Sequence, residues 1–442
     1  MGISIVKRIR IGICGLGTVG GGTFNTLVEN ASEINARAQC NIDIAHIGAR
    51  RDNAGCDTSG FKLSRDVFSV VDDPEVDIVI ELIGGTTVAK ELIERALSNG
   101  KHVVTANKAL IAEYGNELFE LALANNVTVS YEAAVAGGIP IISALREGLS
   151  ANKIEWLAGI INGTGNFILT EMRDKGRDFA DVLAEAQALG YAEADPTFDV
   201  EGIDAAHKLV ILASLAFGMP LQFDKVFCEG ITSIEPIDVA YAGQLGYRIK
   251  HLGMARAVAG RGVELRVHPT LIPASRLIAN VDGVMNAVLV KGNAVGPTLF
   301  YGAGAGAAPT ASAVVSDIIR VARNLAADAG IEAMVPTLGF AHNRLENYAV
   351  LAIDEAVTAF YLRIMVEDKP GALSKIAQIL SEGGISIEAL IQKEPEEDES
   401  KVPVIMLTNR VVEKKMNSAI MAIEALDIVN TPVIRIRVES LK

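Results

Sequence analysis

Short apolar runs alternate with longer amphipathic stretches over the first 131 residues. The runs 10–14, 42–48, 76–83, 102–105 and 127–131 are short and rich in Ile and Val, so they predict buried strands. Between them, 23–29, 88–99 and 109–124 carry helical spacing. Strands alternating with helices predict a parallel sheet. Further on, 153–161 reads as a strand, and 167–175 and 178–189 as helices, the second stopped by Gly190. A helix opening at Asp204 runs into the apolar stretch 209–221. Strands are expected near 253–258, 263–269 and 287–291, then a helix over 311–327 after a Gly/Ala run. The chain closes with strand 360–366, a turn at Asp368-Lys369-Pro370-Gly371, helix 372–382, strands 385–392 and 402–409, helix 413–426 and strand 433–438. That order is βαββαβ. The acidic piece 394–400 (EPEEDES) reads as an exposed hairpin loop.

Length and composition narrow the class. A chain of 442 residues predicts roughly three domains. Half the residues are hydrophobic, 5% aromatic and 21% charged, which suits a large aliphatic α/β core. A net charge of -14 argues against a nucleic-acid partner. Cys14, Cys40, Cys56 and Cys228 show no metal-ligand spacing, and free cysteines fit a reducing, cytoplasmic setting. No apolar run is long enough for a membrane span, and the early glycine turn excludes a signal peptide.

The turn after the first strand is Gly15-Leu16-Gly17-Thr18-Val19-Gly20, a GxGxxG pattern between strand and helix. This is the dinucleotide fingerprint in its required context. Gly15 serves the tight turn, Gly17 the approach of pyrophosphate and Gly20 the helix–strand packing. The expected fold is therefore α/β, with a Rossmann-type dinucleotide-binding domain at 1–137. An α+β domain with a mixed sheet follows, and then a ferredoxin-like βαββαβ module at 355–442. The second strand leads into Ala49-Arg50-Arg51 rather than an acid. Guanidinium groups suit a 2′-phosphate, so NADP is the expected cofactor and NAD the alternative. Thr86 and Lys108 follow the third and fourth strands, where ligands sit in such sheets, and are expected to line the nicotinamide region.

The stretch 186–208 (AQALGYAEADPTFDVEGIDAAHK) holds Glu193, Asp195, Asp199, Glu201 and Asp204 before its single lysine, Lys208. Carboxylates can hold a substrate ammonium. Asp204 and Lys208 stand at i,i+4 on one helix face, which for an ordinary surface pair is worth a few tenths of a kcal/mol. His207, on another face, is expected to be structural. The pattern A-x-x-x-G-Y-A-x-x-D-P-x-x-D-V-x-G-x-D-x-x-x-K resembles the signature of homoserine dehydrogenases, which interconvert aspartate semialdehyde and homoserine with a nicotinamide cofactor. The segments around Lys108 (TANK) and 162–164 (NGT) are similar to the family too.

The resemblance implies that about 306–345 return to the dinucleotide-binding domain and that 138–305 form the catalytic and dimerisation domain, and it implies several residue roles. Lys208 would be the proton donor and Lys108 a second active-site lysine, sharing the proton role or polarising the carbonyl. Tyr191, Glu193, Asp199, Asp204 and Thr164 would bind the amino-acid substrate, and Gly306 would lie near the cofactor. Glu132 and the carbonyls of Val135, Gly137 and Ile139 would bind a monovalent cation such as sodium. The closing module, with DKPGAL at its first turn, resembles an ACT domain. It implies a homodimer or homotetramer and threonine as effector. Family modules often carry Asn where Ser386 stands here, and some ACT modules mainly assemble subunits. Three other readings remain at this stage: a dehydrogenase of another amino-acid aldehyde, a non-catalytic sensor of nucleotide and amino acid, and an assembly subunit.

Overall fold

The computed structural model describes residues 7–393, 401–429 and 431–442, so the piece 394–400 lies outside the described residues. Along the chain the strands are β1 (Arg8–Cys14), β2 (Asn41–Gly48), β3 (Leu63–Ser64), β4 (Ile78–Glu81), β5 (His102–Thr105), β6 (Val129–Ser130), β7 (Ile154–Ile160), β8 (Phe227–Cys228), β9 (Tyr247–Val258), β10 (Gly262–Pro273), β11 (Met285–Gly292), β12 (Gly296–Ala303), β13 (Val357–Glu367), β14 (Ile387–Gln392), β15 (Lys401–Thr408), β16 (Val411–Val412) and β17 (Ile434–Val438). The chain divides into two compact units. The first holds Met1–Ile161, Asp204–Lys225 and Met285–Tyr348; the second holds Asn162–Ile203, Val226–Val284 and Ala349–Lys442.

In the first unit, a parallel sheet runs in the order β3-β2-β1-β4-β5-β6. Every residue of β4 and β5 is buried. Strands covered on both faces favour apolar side chains, which Ile78, Val79 and Ile80 of β4 and Val103 and Val104 of β5 supply, with Glu81, His102 and Thr105 at the strand ends. Ile11, Ile13, Ile78 and Ile80 pack with Phe24 and Leu27 of helix Thr18–Glu29 and with Val314, Ile318 and Val321 of helix Ala307–Ala326. That late helix starts earlier than the expected 311. The Gly/Ala run divides: its first two residues end β12, Gly306 adopts φ 126°, and Ala307 begins the helix. The stretch 209–221 lies largely in helix Ile203–Phe217, buried from Asp204 to Ala216, and Gly218 at φ 67° ends it. A separate antiparallel ladder runs β12-β11-β7.

In the second unit, β9 and β10 form a hairpin paired from Gly262↔Val258 to Pro273↔Tyr247. β10 also pairs in parallel with β17, at Thr270↔Arg437 and Leu271↔Val438. The sheet order is β9-β10-β17-β13-β15-β14, so the C-terminal module shares its sheet with the hairpin. That module has the expected order: β13, helix Ala372–Glu382, β14, β15, helix Glu413–Glu424 and β17, with β16 as an extra short strand. Both faces of β13 are covered. Phe360, Leu362, Ile364 and Val366 face one core with Ile376 and Ile423, while Tyr361 faces another with Ile168 and Ile436. Helix Pro236–Gln244 lies against this second face. Its buried Asp238 accepts bonds from the Tyr361 hydroxyl (3.0 Å) and Arg363 Nε (2.7 Å). Among the described residues, no helix is long and apolar enough to cross a membrane.

Candidate active site

The glycine fingerprint of the first unit has a separate geometric reason at each position. Gly15 adopts φ 102°, and its amide donates to the carbonyl of Gly48 (2.8 Å). A Cβ on Gly20 would stand 2.0 Å from the Gly15 oxygen, so helix Thr18–Glu29 could not approach the turn with any side chain there. At Gly17 a Cβ would meet nothing within 4 Å, which leaves the helix N-terminus open to an anion. Thr18 and Val19 form the first turn of that helix. A cavity of about 640 Å³ opens here, lined by Gly15, Gly17, Arg50, Arg51, Asn53 and Ile83 among others. Arg50 and Arg51 are exposed on its wall. Arg65, which sequence reasoning missed, donates to the Ala49 carbonyl (3.2 Å) and to Asp52 (2.8 Å) beside them. Gly306 precedes a second helix start close by: a Cβ on Gly22 would come within 2.6 Å of the Ala307 carbonyl oxygen. These groups fit a dinucleotide: the open N-terminus of helix Thr18–Glu29 for its pyrophosphate and guanidiniums near the end of β2.

Lys108 opens helix Lys108–Ala124, just beyond β5. Its ammonium lies 3.0 Å from one oxygen of Asp204, and the Lys208 ammonium lies 2.7 Å from the other. Lys208 also donates to the carbonyl of Ile161 (2.7 Å). Asp204 is 4% exposed and Lys208 9%, so this pair is buried rather than a surface ion pair, and the half-buried Lys108 reaches it from its open side. Asp204 therefore acts first as the link between two lysines. His207 is buried, its ring centroid 4.2 Å from that of Phe223 and its Nε2 3.3 Å from Glu113. Burial, reinforced by Lys108 and Lys208 against the pull of Asp204, pushes its imidazole down to about 4. It is neutral at pH 7 and supplies packing.

The second unit sorts the remaining acids. Asn162 caps helix Gly163–Lys175: its side-chain oxygen accepts from the Gly165 amide (2.7 Å) while its side-chain amide donates to Asp199 (2.8 Å). Thr164 is 7% exposed, and its hydroxyl donates to the Tyr191 carbonyl (2.6 Å), so its first task is to fasten the acidic loop. Tyr191 is itself exposed, its ring edge-on to Phe167. Glu193 is exposed, and its backbone carbonyl is held by Gln187 (3.0 Å). Asp195 accepts the Thr197 amide (3.1 Å), an ordinary turn bond, and Glu201 lies against Gly230. Asn162 was legible only as part of the NGT turn; its bond to Asp199 was not.

Thr86 is half-buried after β4. Glu132 is 1% exposed, and its carboxylate accepts the amides of Ile142 and Ser143 (2.9 Å each) and the Ser143 hydroxyl. Burial pushes this carboxyl above its usual range despite those bonds. Val135, Gly137 and Ile139 follow in a buried turn where Ala136 and Gly137 both have positive φ. The Ile139 carbonyl already accepts the Ile141 amide (2.7 Å). In the C-terminal module, the Ser386 amide donates to the Asn409 side chain (3.0 Å).

Comparison with known proteins decides the family. A model described as "Homoserine dehydrogenase" matches residues 140–319, one described as "Homoserine dehydrogenase, NAD binding domain" matches 15–132, and one described as "ACT domain" matches 360–427. The chain belongs to the homoserine dehydrogenase family. Homoserine dehydrogenase of Pseudomonas aeruginosa is 62% identical over 99% of this chain and 100% of its own length. That of Bacillus subtilis is 39% identical over 98% and 99%. The crystal structure of a homoserine dehydrogenase from Thiobacillus denitrificans, 58% identical, superposes with a TM-score of 0.93 over 99% of both chains. A hyperthermophilic archaeal homoserine dehydrogenase in complex with NADPH, 28% identical, covers 71% of this chain and 97% of its own at a TM-score of 0.58. The family brings a dinucleotide-binding domain, a catalytic domain and a C-terminal ACT domain to this chain.

Proposed function

We propose that this protein reduces L-aspartate 4-semialdehyde to L-homoserine, reversibly, with Lys208 as proton donor and NADP as the preferred cofactor. The observation that carries the assignment is the Lys108–Asp204–Lys208 cluster beyond β5, in the unit that holds the glycine cradle. When bound, the nicotinamide supplies the hydride. The substrate oxygen then gains negative charge, and a buried ammonium beside it can donate a proton; such donation contributes about 10²–10⁴-fold. Asp204 orients both ammoniums. Lys108 polarises the carbonyl oxygen or shares the proton role. Glu193 and Asp199 are acceptors for the substrate ammonium, with Tyr191 and Thr164 shaping the loop that carries them. Arg50 and Arg51 take the 2′-phosphate, and Thr86 and Gly306 border the cofactor.

The same proposal extends to the accessory features. Glu132 with the carbonyls of Val135, Gly137 and Ile139 would hold a monovalent cation. An all-oxygen donor set suits a hard cation, and a buried carboxylate gains from a counter-charge. The three domains divide near 137, 305 and 345–355. The ACT module binds threonine and joins protomers into a homodimer or homotetramer in the cytoplasm. The deciding assay follows NADPH absorbance with aspartate semialdehyde for the native protein and Lys208→Ala. Loss of about 10²-fold or more in the variant supports the donor. Turnover that survives the change moves the proton role to Lys108 or water. No turnover in the native protein revives the sensor reading.

A further inference from the structure

Glu81 ends strand β4 with 0% exposure. One carboxylate oxygen accepts the amides of Ile83 (2.9 Å) and Gly84 (3.1 Å). The other accepts the hydroxyl of Thr105 (2.6 Å), the last residue of β5. The Thr105 oxygen in turn accepts the Asn107 amide (3.0 Å). The Asn107 side chain then works in both directions: its amide donates to the Gly85 carbonyl (2.6 Å), and its oxygen caps the next helix through the Leu110 amide (3.2 Å). The first residue of that helix is Lys108.

The turn after β4 has little shape of its own. Gly84 and Gly85 both sit at φ 74°, a conformation that lacks side-chain support. Its form is set by what its amides and carbonyls bond to, and those bonds lead to Glu81 and Asn107. All the donors to Glu81 are neutral. A carboxylate buried among neutral donors costs stability compared with an apolar side chain of similar size. A purely structural position at the end of a covered strand does not need one.

We propose that Glu81 is a positioning residue: it locks the turn carrying Thr86 to the start of the helix carrying Lys108, and so fixes both groups for reaction. This rests on the roles given above to Thr86 and Lys108. In Glu81→Gln, the side-chain oxygen can keep the Ile83 and Gly84 amides. The new amide then faces the Thr105 hydroxyl, which loses its acceptor. Thr105→Val cuts the same link from the other side with almost no change of shape, and Thr105→Ser retains it.

The test measures NADPH affinity by fluorescence, kcat and KM for aspartate semialdehyde, and the melting temperature of the full chain. Glu81→Gln and Thr105→Val should lower kcat by about 10- to 10²-fold, the scale of a misplacement of about 1 Å. They should weaken NADPH binding and leave KM for the semialdehyde within about twofold, since the loop that binds it is untouched. Thr105→Ser should behave as native. Unchanged kcat in the folded variants overturns the proposal, as does a loss that Thr105→Ser shares or that simply tracks melting temperature. If Glu81→Gln does not fold, the Val/Ser pair decides. Native protein without NADPH binding or turnover would overturn the functional reading, and this proposal with it. Active native protein with indifferent variants overturns only the positioning role.

Discussion

Replacing Asn162 by aspartate should separate two tasks that its side chain now performs together. As the cap of helix Gly163–Lys175 it accepts the Gly165 amide; as a donor it holds Asp199 at 2.8 Å. Asn162→Ala loses both. The cap is worth about 0.5–2 kcal/mol, and a hydrogen bond to a charged group about 1.5–3 kcal/mol. Asn162→Asp keeps the cap and adds a charge favoured at a helix N-terminus by about 0.3–1 kcal/mol. It also puts an oxygen where the donor nitrogen now meets Asp199. Two unit charges at that separation repel by about 6 kcal/mol at an effective dielectric of about 20. Asp199 lies on the four-residue helix Thr197–Val200 and is only half-buried, so it can swing away and take solvent. A residual of about 2 kcal/mol is reasonable, roughly 30-fold in an equilibrium. The two variants should therefore rank in opposite orders. Asn162→Ala should melt at the lower temperature, while Asn162→Asp should show the larger rise in KM for aspartate semialdehyde. Thermal melts and steady-state kinetics on both variants make the test. A native KM in Asn162→Asp would refute the claim that this bond sets the acidic loop for substrate.

Three further outcomes follow from other parts of the structure. Burial works to raise the Asp282 carboxyl, but bonds from Arg173 and Lys250 outweigh it and hold it at about 2. Its folded value lies below its unfolded one of about 3.9, so its contribution is present above pH about 4 and lost as pH falls through 2. The native urea midpoint should drop more than that of Asp282→Asn over this window, and parallel curves would refute the assignment. Arg50→Ala or Arg51→Ala should raise KM for NADPH about tenfold and change that for NADH little; equal changes for both cofactors would remove the 2′-phosphate role. Asp204→Asn should lower kcat by at least about 10²-fold and destabilise the fold, because two lysines lose their shared partner; turnover near the native rate would show that the lysines need no such link.

The sequence disclosed elements whose pattern is local. Covered parallel strands showed as Ile/Val runs, and helix Ala372–Glu382 was placed to the residue because its apolar positions fall at helical spacing between a turn and a glycine pair. β12 was missed: it is glycine-rich and only partly buried, so neither alternation nor a continuous run marks it. Helix Pro236–Gln244 was missed although its start carried a signal, a proline at the first turn inside a Glu235/Asp238 capping box. Glu81 escaped notice for another reason. An acid ending an apolar strand looks like a boundary, and only the pairing of Glu81 with Thr105 across β4 and β5 shows that it is a junction.

The acids of 186–208 show the same division, and they bear on the chemistry. In sequence they form one group of carboxylates; in the fold Asn162 holds Asp199 and Lys108 reaches Asp204, while Asp195 only closes its own turn. Asp204 illustrates the consequence. Its i,i+4 partner Lys208 could be read from spacing, and that pair alone has no net charge. The structure adds Lys108. With all three groups ionised, two ammoniums against one carboxylate leave one net positive charge in a largely buried site. Such a site favours an oxygen that gains negative charge during hydride transfer. In the proposed proton transfer one proton leaves for that oxygen, and the remaining ammonium and Asp204 still compensate each other. The cluster can thus give up a proton without stranding a buried charge, and in the reverse direction it can accept one back into the same arrangement.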